Sequence, residues 1–208
     1  MRFRTMMLAL ALLASTASRG EAWEKGVRMG LDLSTFRGPF GDLIGLKSKL
    51  GVTGGGFTAF PVNRIVAIQP EAMFVMKGAK TEIEVVDFAG NPTGRESIFW
   101  DLRYLEVPVL VRITPMPNAS LQPRLFLGPS LGFSLGGRFK SDFGSDDIQG
   151  MRAVDGGVTG GIGVRGAVAR RGVIADLRYT TGFRDLFDVQ GNSDAINSVF
   201  ALTFGVEL

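Results

Sequence analysis

Apolar side chains recur at every second residue through most of the chain, and a period of two specifies strands rather than helices. In GVRMGLDLSTF, Val27, Met29, Leu31 and Leu33 share one face, while Arg28, Gly30, Asp32 and Ser34 share the other. VAIQPEAMFVMK sets Val66, Ile68, Pro70, Ala72, Phe74 and Met76 against Gln69, Glu71 and Lys77. YLEVPVLVRI sets Leu105, Val107, Val109, Val111 and Ile113 against Tyr104, Glu106, Pro108 and Arg112. VIADLRYT opposes Val173, Ala175, Leu177 and Tyr179 to Asp176, Arg178 and Thr180. SVFALTFGVEL opposes Phe200, Leu202, Phe204, Val206 and Leu208 to Thr203, Gly205 and Glu207. Three glycine-rich stretches, LGVTGGGFTAF (50–60), RLFLGPSLGFSLGG (124–137) and AVDGGVTGGIGVRGAVA (153–169), complete a set of eight strands. Each runs to about 10 residues or more, longer than the roughly five or six of a soluble strand and suited to a tilted strand that crosses a membrane.

The connections alternate in length. PVNR (61–64), PMPNAS (115–120) and RRG (170–172) are short and carry Pro, Asn or Gly; residues 37–49, 78–96, 138–152 and 183–197 are long and polar. Within the second long segment, TEIEVVDF alternates enough to carry its strand beyond a membrane. Tight turns at one end and long loops at the other are the pattern of a transmembrane barrel. Lipid offers no partner to a backbone N–H or C=O, so an open sheet edge cannot stand in it and the sheet must close. The expected fold is therefore all-β: an eight-stranded antiparallel up-and-down transmembrane β-barrel with both termini on the periplasmic side.

The N-terminus predicts export. Arg2 and Arg4 precede the short apolar run MMLALALLA, and small residues allow cleavage after Ala17 or Ala22. Residues 1–22 are read as a signal peptide and 23–208 as the barrel domain. Removing that segment lowers the formal charge from +3 to about +1, so the basic balance does not indicate a nucleic-acid partner. The chain has no cysteine and no histidine. Disulfides, thiolate metal sites, cysteine nucleophiles, histidine bases and imidazole ligands are thereby excluded. A carboxylate pair such as Glu71 and Glu106 has a formal capacity for acid–base work, but the chain is not expected to be an enzyme or to hold a cofactor. SDFGSDD carries Asp142, Asp146 and Asp147, but counted from Asp142 it lacks a calcium loop's glycine at the sixth position and glutamate at the twelfth, and it is read as a solvated segment without metal.

Gly161, Gly163 and Gly166 spell G-x-G-x-x-G, with Asp185 about 20 residues on, the spacing of a dinucleotide-binding turn. That turn needs an unbroken apolar strand before it and a helix after it. AVDGGVTG precedes it, and only AVAR follows before Arg171 and Gly172, so the motif is read as strand. On strand parity Gly157, Gly161 and Gly163 fall on the charged face, where they are expected to leave room for arginines such as Arg28, Arg112 or Arg178.

IQPEAMFVMKGAK (68–80) and YLEVPVLVRI (104–113) resemble the paired signatures of the PorT-like outer membrane β-barrel family, a group of small eight-stranded barrels of the OmpA and OmpX kind. LFLGPSLGFSLGG (125–137) is similar to that family's glycine-proline strand, and Asp155 with its following glycines is similar to the strand after it. Phe204 and the closing GVEL resemble the terminal strand read by the barrel-assembly machinery, although the last residue is Leu208 rather than phenylalanine. The resemblance spans almost all of residues 23–208. It implies a barrel in the outer membrane of a Gram-negative bacterium, mostly without assigned activity, and a role in secretion as one option. Gly156, Gly160 and Gly166 on the lipid-facing parity depart from an all-apolar face.

The charged parity defines the candidate site. Arg28, Asp32, Gln69, Glu71, Lys77, Tyr104, Glu106, Arg112, Asp155, Arg165, Asp176 and Arg178 are expected to form a polar network in the lumen, with Arg124 and Glu207 on the same face. Isolated buried ions are costly, so these groups must pair or stay wet. The expected function is structural or interactive: envelope integrity, surface contact, or support of a secretion or assembly complex. A narrow channel for small solutes or ions and a soluble periplasmic lipocalin-like carrier are the alternatives. Expected partners are outer membrane lipid, the assembly machinery during insertion, an envelope or secretion protein, and lipopolysaccharide. The last would meet Arg37, Lys47, Lys49, Arg138, Lys140 and Arg152 in the loops. Phe40, Phe88, Phe143, Phe183 and Phe187 are expected at the membrane interface or at a partner.

Overall fold

The computed structural model describes residues 23–37, 47–86, 91–141, 144–148, 153–183 and 196–208. Residues 1–22, read above as a signal peptide, lie outside the described residues, as do Phe40, Phe88, Asp142, Phe143, Arg152, Asp185 and Phe187. The strands are β1 (Glu24–Arg37), β2 (Lys47–Pro61), β3 (Val66–Val86), β4 (Pro92–Ile113), β5 (Gln122–Ser141), β6 (Gly144–Asp147), β7 (Val154–Val168), β8 (Arg171–Gly182) and β9 (Ile196–Glu207). They pair antiparallel in the order β4-β3-β2-β1-β9-β8-β7-β5, and β4 pairs β5 to close an eight-stranded barrel. No helix among the described residues is long and apolar enough to cross a membrane.

Strand parity falls as the alternation dictates. Met29 and Leu127 point outward with 72% and 61% of their surfaces exposed, whereas Tyr104 and Arg124 point inward at 1% and 2%. This is the inversion of a soluble protein, and lipid accounts for it: the apolar face meets acyl chains, and the charged face needs the interior for its partners. One outward glycine of β7 fits the same logic: Leu127, paired with Gly160, lays its Cδ1 2.9 Å from where a Cβ on that glycine would stand, so a neighbour's side chain supplies the missing apolar cover.

The short connections are turns, each shifted slightly from the segment expected. Val62 to Ile65 joins β2 to β3, and the Asn63 side chain accepts the amides of Ile65 and Val66, both at 2.9 Å. Between β7 and β8 the turn centres on Ala169 and Arg170, with φ of 48° and 68°, rather than on 170–172. Positive φ at both central residues matches the right-handed twist of the strands it joins.

Two long segments expected as loops are largely strand. β3 and β4 run 21 and 22 residues, against 12 each in β8 and β9, and pair as far as Val86 with Pro92. The excess over β8 and β9 amounts to about 30 Å of strand at ~3.3 Å per residue. β5 climbs beside them and turns back into β6, a ninth strand that the alternation does not signal. GSDD has no apolar member to alternate, and its strand state comes from backbone pairing with residues 138–141. A bulge bends the base of this raised wall. Leu135 is passed over between the pairs Arg103–Gly136 and Tyr104–Ser134, with Gly136 at φ 112°, a conformation that favours glycine.

Candidate functional site

The interior holds one continuous polar network over its middle and its short-turn end. Gln69 and Glu71 sit two apart on β3 and so face inward together. The Gln69 amide nitrogen donates to Glu71 Oε1 at 2.7 Å. Its carbonyl accepts from Arg112 at 3.1 Å and from Arg124 at 3.0 Å. Arg178 reaches Glu71 from β8 with Nη2 at 2.6 Å and Nη1 at 3.3 Å, a two-pronged contact. Arg28 enters from β1, its Nη1 2.8 Å from Asp176 and 3.5 Å from Glu71. Two arginines thus face two carboxylates, and the centre is formally neutral.

Glycines make these reaches. Gly205 of β9 lies between Arg28 on β1 and Ile174 on β8, and a Cβ there would stand 3.1 Å from the Cβ of Arg28. Lacking one, β9 lets Arg28 cross to Asp176. Each central arginine also lies on a ring, Arg28 over Phe57 at 4.5 Å and Arg178 over Phe126 at 5.1 Å. Beneath each ring is a glycine. A Cβ on Gly26 would come 2.6 Å from Phe57 Cζ, and one on Gly161 would come 2.6 Å from Phe126 Cζ. The glycines of β7 were expected to make room for arginines. They instead receive the Phe126 ring at Gly161 and the Asp176 carboxylate at Gly163, and the arginine sits one layer further in. Rings in the lumen are what the polar reading of that face omitted.

Other members of the predicted set lie outside this cluster. Lys77 pairs with Glu106 at 2.5 Å and stands 4.7 Å over the Tyr104 ring. Glu71 and Glu106, the carboxylates weighed for acid–base work, are therefore bound to separate cations. Asp32 is 1% exposed and neither of its oxygens has a hydrogen-bond partner among the described residues. Asp155 is buried at the start of β7, its carboxylate beside Gly182. Arg165 lies at the short-turn rim and grips Glu207 with Nε at 2.9 and 2.8 Å and Nη2 at 2.6 Å. Glu24 was not expected in the set, yet it pairs with Arg112 at 2.6 Å. It precedes the first alternating residues, which is why periodicity passed over it. Two cavities in the upper and middle barrel measure about 10 and 20 Å³, each about one water molecule in size. At the base of the raised wall Asp101 takes Lys49 from β2 and Lys140 from β5, the latter at 2.7 Å. Among the described residues no group of three or more acids could hold a metal ion.

The model of the outer membrane protein beta-barrel domain family matches residues 14–188. Among solved structures the chain is similar to Ail, the attachment invasion locus protein of Yersinia pestis, at 15% identity over 90% of this chain and 100% of that one, TM-score 0.45. It is similar to Neisserial surface protein A at 14% identity over 90% of this chain and 99% of that one, TM-score 0.45. It is also similar to OprG from Pseudomonas aeruginosa at 14% identity over 90% of this chain and 97% of that one, TM-score 0.45. No curated protein matches the chain in sequence. A family match over most of the length, a closed antiparallel barrel and an outward apolar face agree: the chain belongs to the outer membrane β-barrel domain family, and its place is the outer membrane.

Proposed function

We propose that this barrel passes no solute and acts through its ends, as a structural or contact protein of the envelope. The observation that carries the reading is the network from Glu24 through Arg112, Gln69 and Glu71 to Arg178, which spans the lumen with side chains bound to one another. An eight-stranded barrel is just wide enough for its interior to be filled in this way. Planar-bilayer recordings with the purified barrel should show no discrete conductance steps. Steps of uniform size that disappear when Glu71 or Lys77 is altered would replace this reading with the narrow channel. The carrier reading needs the apolar parity inside, and that parity faces out. Catalysis has no support in Glu71 and Glu106, each of which answers a cation.

The contact surface is the raised wall of β3, β4, β5 and β6. The likeness to PorT-like proteins favours a secretion or assembly partner there, and the closing strand through Phe204 and Val206 suits recognition by the assembly machinery. Lipopolysaccharide is the other ligand for this surface. Of the six cations expected to meet it, Lys49 and Lys140 hold Asp101, and Arg138 lies 3.5 Å from Asp147. Lys47 also has a partner, and the side chains of Arg37 and Arg152 lie outside the described residues. Neutralising all six should weaken lipopolysaccharide binding by the purified barrel several-fold. Unchanged binding would assign the wall to a protein partner.

A further inference from the structure

At the short-turn end the barrel holds a cavity of about 290 Å³ whose lining includes Glu24, Asn63, Arg64, Arg112, Arg124 and Arg165. Asn63, Arg64 and Ile65 are exposed turn residues, so the cavity opens at that end, which members of this class turn toward the periplasm. Four of its lining side chains are arginines and one is an acid. Arg112 has Glu24, and Arg165 has Glu207. Arg124 has no carboxylate among the described residues. It is 2% exposed, its Nη2 donates to Gln69 at 3.0 Å, and its Nε and Nη1 have no partner among the described residues. Arg112 Nε likewise has no partner among the described residues. A buried guanidinium with part of its donor fork open is an unfavourable arrangement by itself, and the fork matches the two oxygens of a carboxylate or phosphate.

We propose that this vestibule binds an oxyanion group from the periplasmic side, with Arg124 as its anchor and Arg112 as its second donor. The volume lies at the lower end for ligand pockets and admits a small acid or the carboxyl end of a peptide, not a folded surface. Glu24 sits in the wall as an internal competitor for Arg112 and so sets the affinity. The proposal rests on the orientation of the barrel and does not depend on whether the lumen conducts.

The test is a titration of the full barrel in micelles, with ¹⁵N-labelled arginine followed by NMR at constant ionic strength. The probes are acetate, inorganic phosphate, and a tripeptide as free acid or as C-terminal amide. Saturable shifts of buried arginine side-chain signals are expected. Saturation by acetate and phosphate alike identifies a free-anion site. A free-acid tripeptide that binds about tenfold tighter than both acetate and its own amide identifies a chain-end site. Arg124→Gln should weaken binding about tenfold or more, and Glu24→Gln should tighten it several-fold. No saturable shift with any probe up to about 50 mM, or equal affinity in Arg124→Gln, would overturn the proposal. If Arg124→Gln does not fold, the wild-type titration and Glu24→Gln still decide the matter.

Discussion

Glu71→Gln should lower the stability of the barrel in lipid vesicles by about 3–5 kcal/mol, read from the urea midpoint of tryptophan fluorescence. Glu71 is the junction of the interior. It takes both prongs of Arg178, lies 3.5 Å from Arg28 and accepts from Gln69. Glutamine keeps the volume and removes the charge, so two buried arginines share the one remaining carboxylate of Asp176. The penalty is that of leaving a cation uncompensated, not the net value of the pair. Glu71→Leu combined with Arg178→Met should therefore recover much of the loss, because a matched apolar replacement leaves no orphan. A Glu71→Gln midpoint equal to that of the parent would show that the central cluster contributes nothing to holding the barrel.

Gly161→Leu should abolish the compact band of the folded barrel on unboiled gels. The first atom added, Cβ, would already stand 2.6 Å from Phe126 Cζ and would press on the carbonyl oxygen of Leu177. The ring cannot retreat without lifting Arg178 from it, and the carbonyl belongs to the backbone of β8. Overpacking a core commonly costs about 1–3 kcal/mol, and here the clash is with backbone as well as side chain, which places it above that range. Gly166→Leu is the control. Its Cβ faces lipid, with Leu121 Cδ1 the nearest atom at 3.8 Å, and the folded band should persist. A normal compact band for Gly161→Leu would remove the packing account of the β7 glycines.

The lipid-facing half of the molecule was the legible half. An outward row such as Val27, Met29, Leu31 and Leu33 has one requirement, to be apolar, and alternation records it residue by residue. The inward row has to satisfy neighbours that come from distant parts of the sequence. Arg28, Glu71, Asp176 and Arg178 could be placed on the same face from parity, but who meets whom depends on register across the closed sheet. Phe57 and Phe126 illustrate the limit. Alternation records polarity against apolarity, and a ring serving as a floor for a guanidinium reads as a break in a polar row. Glu24 escaped because it stands where the pattern begins. β6 escaped because GSDD is strand through its neighbour alone. The G-x-G-x-x-G spacing was legible as strand from its flanks, yet its occupants, a phenyl ring and a carboxylate, required the pairing of β7 with both β5 and β8.

The seam where β1 meets β9 joins the two ends of the described chain, and the central ions lie across it. Arg28 is 148 residues from Asp176, and Glu71 is 107 from Arg178. Neither pair is made within a hairpin: Arg28 on β1 and Asp176 on β8 come together through the β1–β9 seam, and Glu71 on β3 meets Arg178 on β8 across the lumen. Contacts of such long sequence separation form slowly, because the loop-closure entropy is lost before the contact is gained. The same arrangement delays the reverse step, since opening the seam parts Arg28 from Asp176 and Glu71 from Arg178, whose carriers β1 and β3 lie on one side of it and β8 on the other. The ion centre therefore acts in time as well as in space: it arrives last, and once formed it sets how long the closed ring survives.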